Sequence, residues 1–369
     1  MNWNRESQIV PMNDLSRGIA RDREVLNAAV SAVLDSGRVV MGPQHDAFQT
    51  ALRDYLGVSS VIGVASGTDA LELAMKVAMP AGRYSVLTAA NAGGYTSTAA
   101  RRAGFRVRYA DVDPESLCLS EATVATVLDD EVGVVVVTHL YGNLTDIRGL
   151  IALCHSRGIR VVEDCAQAIG ARRVEGAAGS FGDLAAISFY PTKNLGALGD
   201  GGAVVTNNPD FAHKVTQLRQ YGWDSKYRVA VGGGVNSRLD EIQAAFLLAR
   251  LPLLDSLNER RRDIVARYVA VACDGPLRVL PANGQHHVAH LAVGITERRD
   301  EIREQLARAG VLTDVHFPLP DHLQPGFGAE PQSLPVTENA AREVVSLPCF
   351  PELTDEEVGK VCDAIGLLT

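Results

Sequence analysis

The sequence predicts an α/β fold: a large first domain, residues 1–250 with an N-terminal arm, built on a mostly parallel central sheet, and a smaller α+β domain over residues 251–369. Three observations carry this. Between about residues 58 and 206, short β-rich runs alternate with helical ones; a long helical stretch follows; the remainder breaks into shorter segments separated by Pro-rich turns.

In chain order, VSSVIGVA, YSVLTAA, FRVRYADV, VGVVVVTHLYG, IRVVEDCA, DLAAISFY and GGAVVTN are the β-rich runs, with DALELAMKVAM and LIALCHSRG as helical runs between them. Near-continuous apolar strands of this kind are buried on both faces, as a parallel sheet requires. Such a sheet carries its ligand site at the carboxyl ends of its strands. SRLDEIQAAFLLARLPLLDSLNERRRDIVARYVAVA then reads as a connecting helix with 3.6-type apolar spacing and an Arg-rich solvent face, broken near Pro252. After HFPLPDHLQPGF and SLPCFPEL, the closing TDEEVGKVCDAIG begins with Thr354 and has Glu357 at the third following position, a reciprocal helix cap.

Composition narrows the functional classes. With 369 residues, 46% hydrophobic and 21% charged, the chain is that of an ordinary globular protein. A net charge of -9 argues against a general polyanion binder, whose affinity rests on Lys and Arg. No run approaches the roughly 18 apolar residues of a membrane span, and MNWNRESQIVPMNDLSRG has no signal-peptide core, so a cytoplasmic location is expected. Six scattered cysteines without a CxxC pair suggest reduced, packed thiols rather than a disulfide framework.

Three segments carry chemistry. In ASGTDALELAM, Ser66, Gly67 and Thr68 end a strand and open a helix, where free N–H groups and the positive end of the dipole favour a phosphate. A plain helix cap by Ser66 and Asp69 explains the same letters. In VVEDCAQAIG, Asp164 ends a strand, with Glu163 before it and Gln167 after it. It could cap the next turn; beside a buried cationic heterocycle it would stay ionised and hold the ring nitrogen protonated. In SFYPTKNLGALGDGG, Lys193 lies 29 residues beyond Asp164, about the length of a helix–strand excursion returning to the same sheet edge. A lone lysine is usually solvated. Among glycines and opposite Asp164, desolvation would instead depress its ordinary pKa of about 10.4 and expose a nucleophilic amine. A phosphate cradle, a strand-end aspartate and a buried lysine together suit pyridoxal phosphate (PLP).

The strings DSGRVVMGP, ASGTDALELA, THLYGN, EDCAQAIGA, GSFGD, SFYPTKNLGALGDGG, YGWDSKY, NSRLDEIQAA and SLPCFPEL, in this order, resemble over nearly the whole chain the DegT/DnrJ/EryC1/StrS family of nucleotide-sugar aminotransferases. That resemblance implies PLP-dependent transferase fold type I, the aspartate aminotransferase-like architecture. It implies that Lys193 binds the cofactor covalently and carries the proton of transamination, that Asp164 pairs with the pyridine nitrogen, and that Gln167 lies by the ring hydroxyl. Gly67, Thr68 and Ser188 match phosphate-binding positions, and Asn236 matches a phosphate ligand supplied by the neighbouring subunit, so a homodimer with shared sites is implied.

The stretch TAANAGGYTSTAA departs from the common pattern: Gly93 stands where many members carry an aromatic stacked on the cofactor ring, and Tyr95 is a replacement two positions on or an ordinary strand-packing residue. NAGGYTS, YGWDSKY and HFPLPDH resemble the subgroup acting on 3-keto nucleotide-linked 6-deoxyhexoses, dTDP-linked ones in particular, to make amino sugars for antibiotics or surface polysaccharides, with glutamate as amino donor in a ping-pong reaction. Lys226, Arg238 and Arg219 fall in loops suited to the substrate diphosphate, with Tyr190 and His316 near the sugar; each is also open to reading as a solvated charge or packing residue, and for Arg219 that reading is preferred. His286, His287 and His290 cluster without a nearby carboxylate, so no metal site is expected. His139 reads as a neighbour of the site or a satisfied core residue.

Rival readings are weaker. A C-4 keto-sugar aminotransferase differs only in the carbon aminated; a pyridoxamine-dependent sugar dehydratase of this family would replace Lys193 by histidine; a non-catalytic sugar-nucleotide binder would not need Lys193, Asp164 and Gln167 together. A nicotinamide enzyme would need a GxGxxG opening a helix after the first strand, which is missing.

Overall fold

The computed structural model describes residues 9–273, 275–328 and 332–369; residues 1–8 of the opening segment read for a signal peptide lie outside them. Seven strands form the central sheet: β1 (Ser60–Val64), β2 (Ser85–Ala89), β3 (Arg106–Ala110), β4 (Val132–Thr138), β5 (Arg160–Asp164), β6 (Leu184–Ser188) and β7 (Gly202–Thr206). Their order is β1-β7-β6-β5-β4-β2-β3, and only β7 runs against the rest. The expected mostly parallel sheet is therefore present. Every residue of β4, the VGVVVVT run, is buried, as β-branched strands covered on both faces should be.

The reversed strand has a consequence for the site. Its first residue, Gly202, pairs with both Val64 and Ser188, so the β7 backbone begins between the ends of β1 and β6. A Cβ on Gly202 would lie 2.4 Å from the carbonyl carbon of Ser66. Only glycine lets the backbones meet there, which accounts for one member of the glycine run after Lys193.

One sequence expectation needs correction. The chain between β5 and β6 returns to the same sheet edge, but without a helix among its residues; it holds only a two-residue ladder, Arg172–Arg173 against Gly176–Ala177. Length alone suggested a helix. The physical reason lies in Glu163, whose buried carboxylate accepts N–H bonds from Gly179 (3.0 Å), Phe181 (2.8 Å) and Gly182 (2.7 Å), pinning the segment in place of a helical ladder. Gly170 and Gly179 adopt positive φ there, at 90° and 92°.

The connecting helix is broken where expected. Glu241–Arg250 is followed by a single tight turn, Leu251–Leu253, and then by Leu254–Val271, because Pro252 has no N–H to continue the ladder. Leu254 joins the core beneath the large sheet, whereas Ile264, Val265 and Tyr268 join a second core. That core lies on a three-stranded antiparallel sheet, β8 (Arg278–Val279), β9 (Ala292–Ile295) and β10 (Val344–Leu347), and on the helix Asp355–Gly366. Thr354 and Glu357 cap this helix reciprocally. Val10 also belongs to the second core, hydrogen-bonded to Gly310 and Leu312. Among the described residues, no helix is long and apolar enough to cross a membrane, and Cys118, Cys154, Cys165 and Cys349 are buried thiols.

Candidate active site

The carboxyl ends of β1, β4, β5 and β6 converge on a cavity of about 520 Å³. Of the residues singled out in the sequence, Gly67, Thr68, Tyr95, Asp164, Gln167 and Ser188 line it, together with Tyr190, Lys193 and His316. Asn236, Lys226 and Arg238 do not line the cavity within one chain. Asn236 is exposed and bridges to Gln220, Lys226 sits over the Tyr227 ring on an exposed hairpin, and Arg238 sits over Tyr221.

The helix Gly67–Ala78 begins directly after β1. Ser66 is its N-cap and accepts from the Asp69 N–H at 3.1 Å, so the bland reading of this segment is also realised. The cap leaves the Gly67 and Thr68 N–H groups without intrahelical partners at the positive end of the dipole. A Cβ on Gly67 would lie 2.6 Å from Ser188 Cβ, so the glycine holds the helix start against the end of β6. Ser188 Oγ accepts from the Tyr190 N–H at 3.3 Å, which leaves its own proton free to donate to an anion. Two amides and a hydroxyl thus lie together on the cavity wall.

Asp164 is 4% exposed, at the end of β5. Its carboxylate accepts from Thr138 Oγ1 (3.1 Å) and from the Ala166 N–H (3.0 Å). Burial pushes its pKa up, against those two bonds and the nearby Lys193 and His139. Such a carboxylate lacks a full cationic partner, which a protonated ring nitrogen would supply. Lys193 is half-buried where it opens on the cavity, and burial lowers its pKa while Asp164 opposes that shift. Gln167 spends its side-chain carbonyl on the Tyr141 N–H at 2.6 Å, so its amide donors face the cavity. These observations match an anionic phosphate, a basic ring nitrogen and an acceptor oxygen, the groups that PLP presents.

The Gly93 departure has a structural counterpart. Gly93 has φ 76°, and a Cβ there would lie 2.7 Å from Cε1 of Phe317. The space beside residue 93 is therefore filled by an aromatic from another part of the chain. Phe317 lines the cavity and meets Tyr95 edge-on, with ring centroids 6.0 Å apart. Sequence reasoning did not find Phe317, because no local pattern links it to Gly93. Tyr95 opens a helix, Tyr95–Arg102, rather than lying in a strand.

Asp321 ties these two loops together. It is 1% exposed and accepts from the Gly94 N–H (2.8 Å) and Ser97 Oγ (2.5 Å). Burial raises its pKa from 3.8 to about 6. Between those values the folded protein binds more protons than the unfolded chain, so this group's contribution to stability falls as pH rises through that window and is level above it. The expected difference is up to about 3 kcal/mol, from about 1.36 kcal/mol per pH unit. Urea unfolding of Asp321→Asn should therefore lack that part of the wild-type pH slope; identical slopes in the two proteins would contradict the assignment.

The remaining candidates separate. His139 Nε2 contacts Glu163 Oε2 at 3.0 Å, both fully buried beside Asp164. Cys165 completes a possible ligand trio with them, but Glu163 already accepts three backbone N–H bonds, so a cation is not needed to satisfy it. His286 and His287 open on a different cleft beside Arg278 and Asn283, while His290 lines the active cavity. Arg219 is buried, donating to the Gly63 carbonyl at 2.6 Å and lying 3.1 Å from His45. It serves packing.

Comparison with known proteins agrees with this geometry. Residues 20–366 match the DegT/DnrJ/EryC1/StrS aminotransferase family. The chain is 38% identical to a dTDP-3-amino-3,4,6-trideoxy-alpha-D-glucose transaminase of Streptomyces venezuelae, covering 99% of this chain and 97% of the relative. It is 36% identical to a pleiotropic regulatory protein of Geobacillus stearothermophilus, over 97% and 98% of the two chains. The solved structure of S. venezuelae DesV in complex with a ketimine intermediate superposes with a TM-score of 0.93 at 37% identity, covering 97% and 98% of the chains.

Proposed function

We propose that this chain, which belongs to the DegT/DnrJ/EryC1/StrS aminotransferase family, transfers an amino group from glutamate to the C-3 carbonyl of a dTDP-linked 3-keto-6-deoxyhexose, working as a homodimer with shared sites. The observation that carries the reading is Lys193 and Asp164 facing one cavity beside the helix start at Gly67 and Thr68. The choice of a C-3 dTDP-sugar rests on the 38% identical transaminase.

PLP, when bound, supplies an electron sink for the carbanion left by proton removal. The chain does the rest. Gly67, Thr68 and Ser188 hold the phosphate; Asp164 keeps a proton on the ring nitrogen; Gln167 donates to the ring oxygen. Lys193 anchors the cofactor and, once its amine is free, moves a proton between the two carbons on either side of the transferred nitrogen. Phe317 and Tyr95 close the side of the cavity where Gly93 leaves room, and His316 and Tyr190 meet the sugar.

Asn236, Lys226 and Arg238 are assigned to the cavity of the partner subunit, Asn236 at its phosphate and the two cations at the substrate diphosphate. The exposure of the hairpin carrying Lys226 supports this, with Tyr227 77% and Val229 62% exposed in the single chain, as does the exposure of Asn236. The relative named a pleiotropic regulatory protein does not shift the reading, because a purely binding role would not require a half-buried lysine sharing a cavity with a buried aspartate.

Absorbance of the cofactor-loaded protein tests the whole cycle. Glutamate should bleach the band of the lysine-bound cofactor, and a dTDP-linked 3-keto sugar should restore it. Restoration only by a 4-keto sugar would move the reaction to C-4, and an unchanged band with glutamate would remove glutamate as the donor.

A further inference from the structure

His290 lines the cavity with Lys193, and its hydrogen bonds determine which ring nitrogen carries a proton. Backbone carbonyls can only accept, and two of them fix the amides that lead to this ring. Ile169 C=O lies 3.2 Å from Asn258 Nδ2, so the Asn258 amide nitrogen points there and its oxygen points away. That oxygen accepts from Asn194 Nδ2 at 2.7 Å, and the second Asn194 N–H goes to Val288 C=O at 3.0 Å. Asn194 Oδ1 is left facing His290 Nδ1 at 2.8 Å. An acceptor there requires a proton on Nδ1, so the lone pair of a neutral imidazole sits on Nε2. Nε2 has no hydrogen-bond partner among the described residues.

The ring is also fixed at its backbone. The His290 N–H donates to Tyr141 C=O at 3.0 Å, and its carbonyl accepts from Arg261 at 3.4 Å. The charged or titratable groups acting on it are Lys193, Arg261 and His316, from three different segments, and together with burial they hold the imidazole neutral. Among the described residues, no carboxylate offsets them. A ring that cannot gain a proton is a poor base but a dependable acceptor.

We infer that His290 is a positioning residue for Lys193: with PLP seated in the cavity, its otherwise unused Nε2 lone pair accepts a hydrogen bond from the lysine amine while that amine is not bonded to the cofactor. Asn194 follows Lys193 directly in the chain, so the network that orients the imidazole is attached to the lysine it serves. The inference rests on the reading of Lys193 as the amine that joins and leaves the cofactor.

Two measurements test it. Nitrogen-15 NMR of histidine-labelled protein, without and with PLP, should show one imidazole as the Nδ1–H tautomer, neutral across the interval of about pH 5 to 8 in which histidine ordinarily titrates, and missing from His290→Gln. Asn194→Asp, which puts a carboxylate on Nδ1, should make the same ring titrate. The second measurement is the rate at which PLP becomes covalently attached to cofactor-free protein as a function of pH. His290→Phe should slow attachment about tenfold and shift its pH midpoint, while His290→Gln, which keeps an acceptor oxygen, should recover most of the rate. An Nε2–H tautomer, or wild-type rate and pH profile in both variants, would overturn the inference. Failure of the wild-type protein to attach PLP at all would instead remove the reading of Lys193, and with it this role for His290.

Discussion

Lys193→Ala is expected to lose turnover by about 10⁴-fold or more, since one substitution removes both the covalent anchor and the proton carrier. Folding should be little affected, because Lys193 is half-buried and opens on a cavity rather than filling a core. Its pKa is lowered by burial, so deleting the ammonium also removes a charge held at some cost. Urea denaturation near the wild-type midpoint, combined with loss of both half-reactions, is the expected pairing. Substantial transamination by the variant would show that another group moves the proton.

Asp164→Asn is expected to lower turnover about 10²- to 10³-fold, the range for removing one preorganised charge from a transition state. The amide cannot balance a protonated ring nitrogen, so the cofactor becomes a weaker electron sink. The variant also separates catalysis from stability. In the cofactor-free protein burial raises the Asp164 pKa, so the ionised carboxylate is disfavoured above that pKa, and Asn should leave stability unchanged or higher there. With cofactor bound the order should invert, because the wild-type ion pair then forms. A variant with full activity, or one destabilised in the cofactor-free state, would contradict this account of the site.

The sheet was legible in the sequence because its strands are apolar on both faces and end in residues with chemistry to offer: Ser66, Asp164 and Ser188 each fall at or just past a strand end. Parallel strands bring those ends to one edge, so spacing alone brought Lys193 near Asp164. The route between them was misread. A helix and a glycine-bearing loop of the same length look alike by length, and the loop is held by Glu163, whose partners Gly179, Phe181 and Gly182 lie 16 to 19 residues away.

Contacts between distant segments were the least readable. Gly93 was visible as a departure, but its counterpart Phe317 comes from 224 residues further along the chain, and nothing in TAANAGGYTSTAA points to it. His290 was weighed only as a metal ligand. Its partners Asn194 and Asn258 are ordinary polar residues in sequence, and become informative only when Ile169 and Val288 carbonyls fix their orientation. The Ser66 segment shows a different limit: helix cap and phosphate cradle use the same letters, and the structure holds both at once.

The covalent role of Lys193 is the claim on which the rest depends, and it can be read directly. Cofactor-loaded protein would be treated with borohydride, digested and mapped by mass spectrometry. A phosphopyridoxyl group on the peptide carrying Lys193, absent from Lys193→Ala, is the predicted result. The same group on a different lysine, or an unmodified Lys193 peptide from protein that retains bound cofactor, would contradict it.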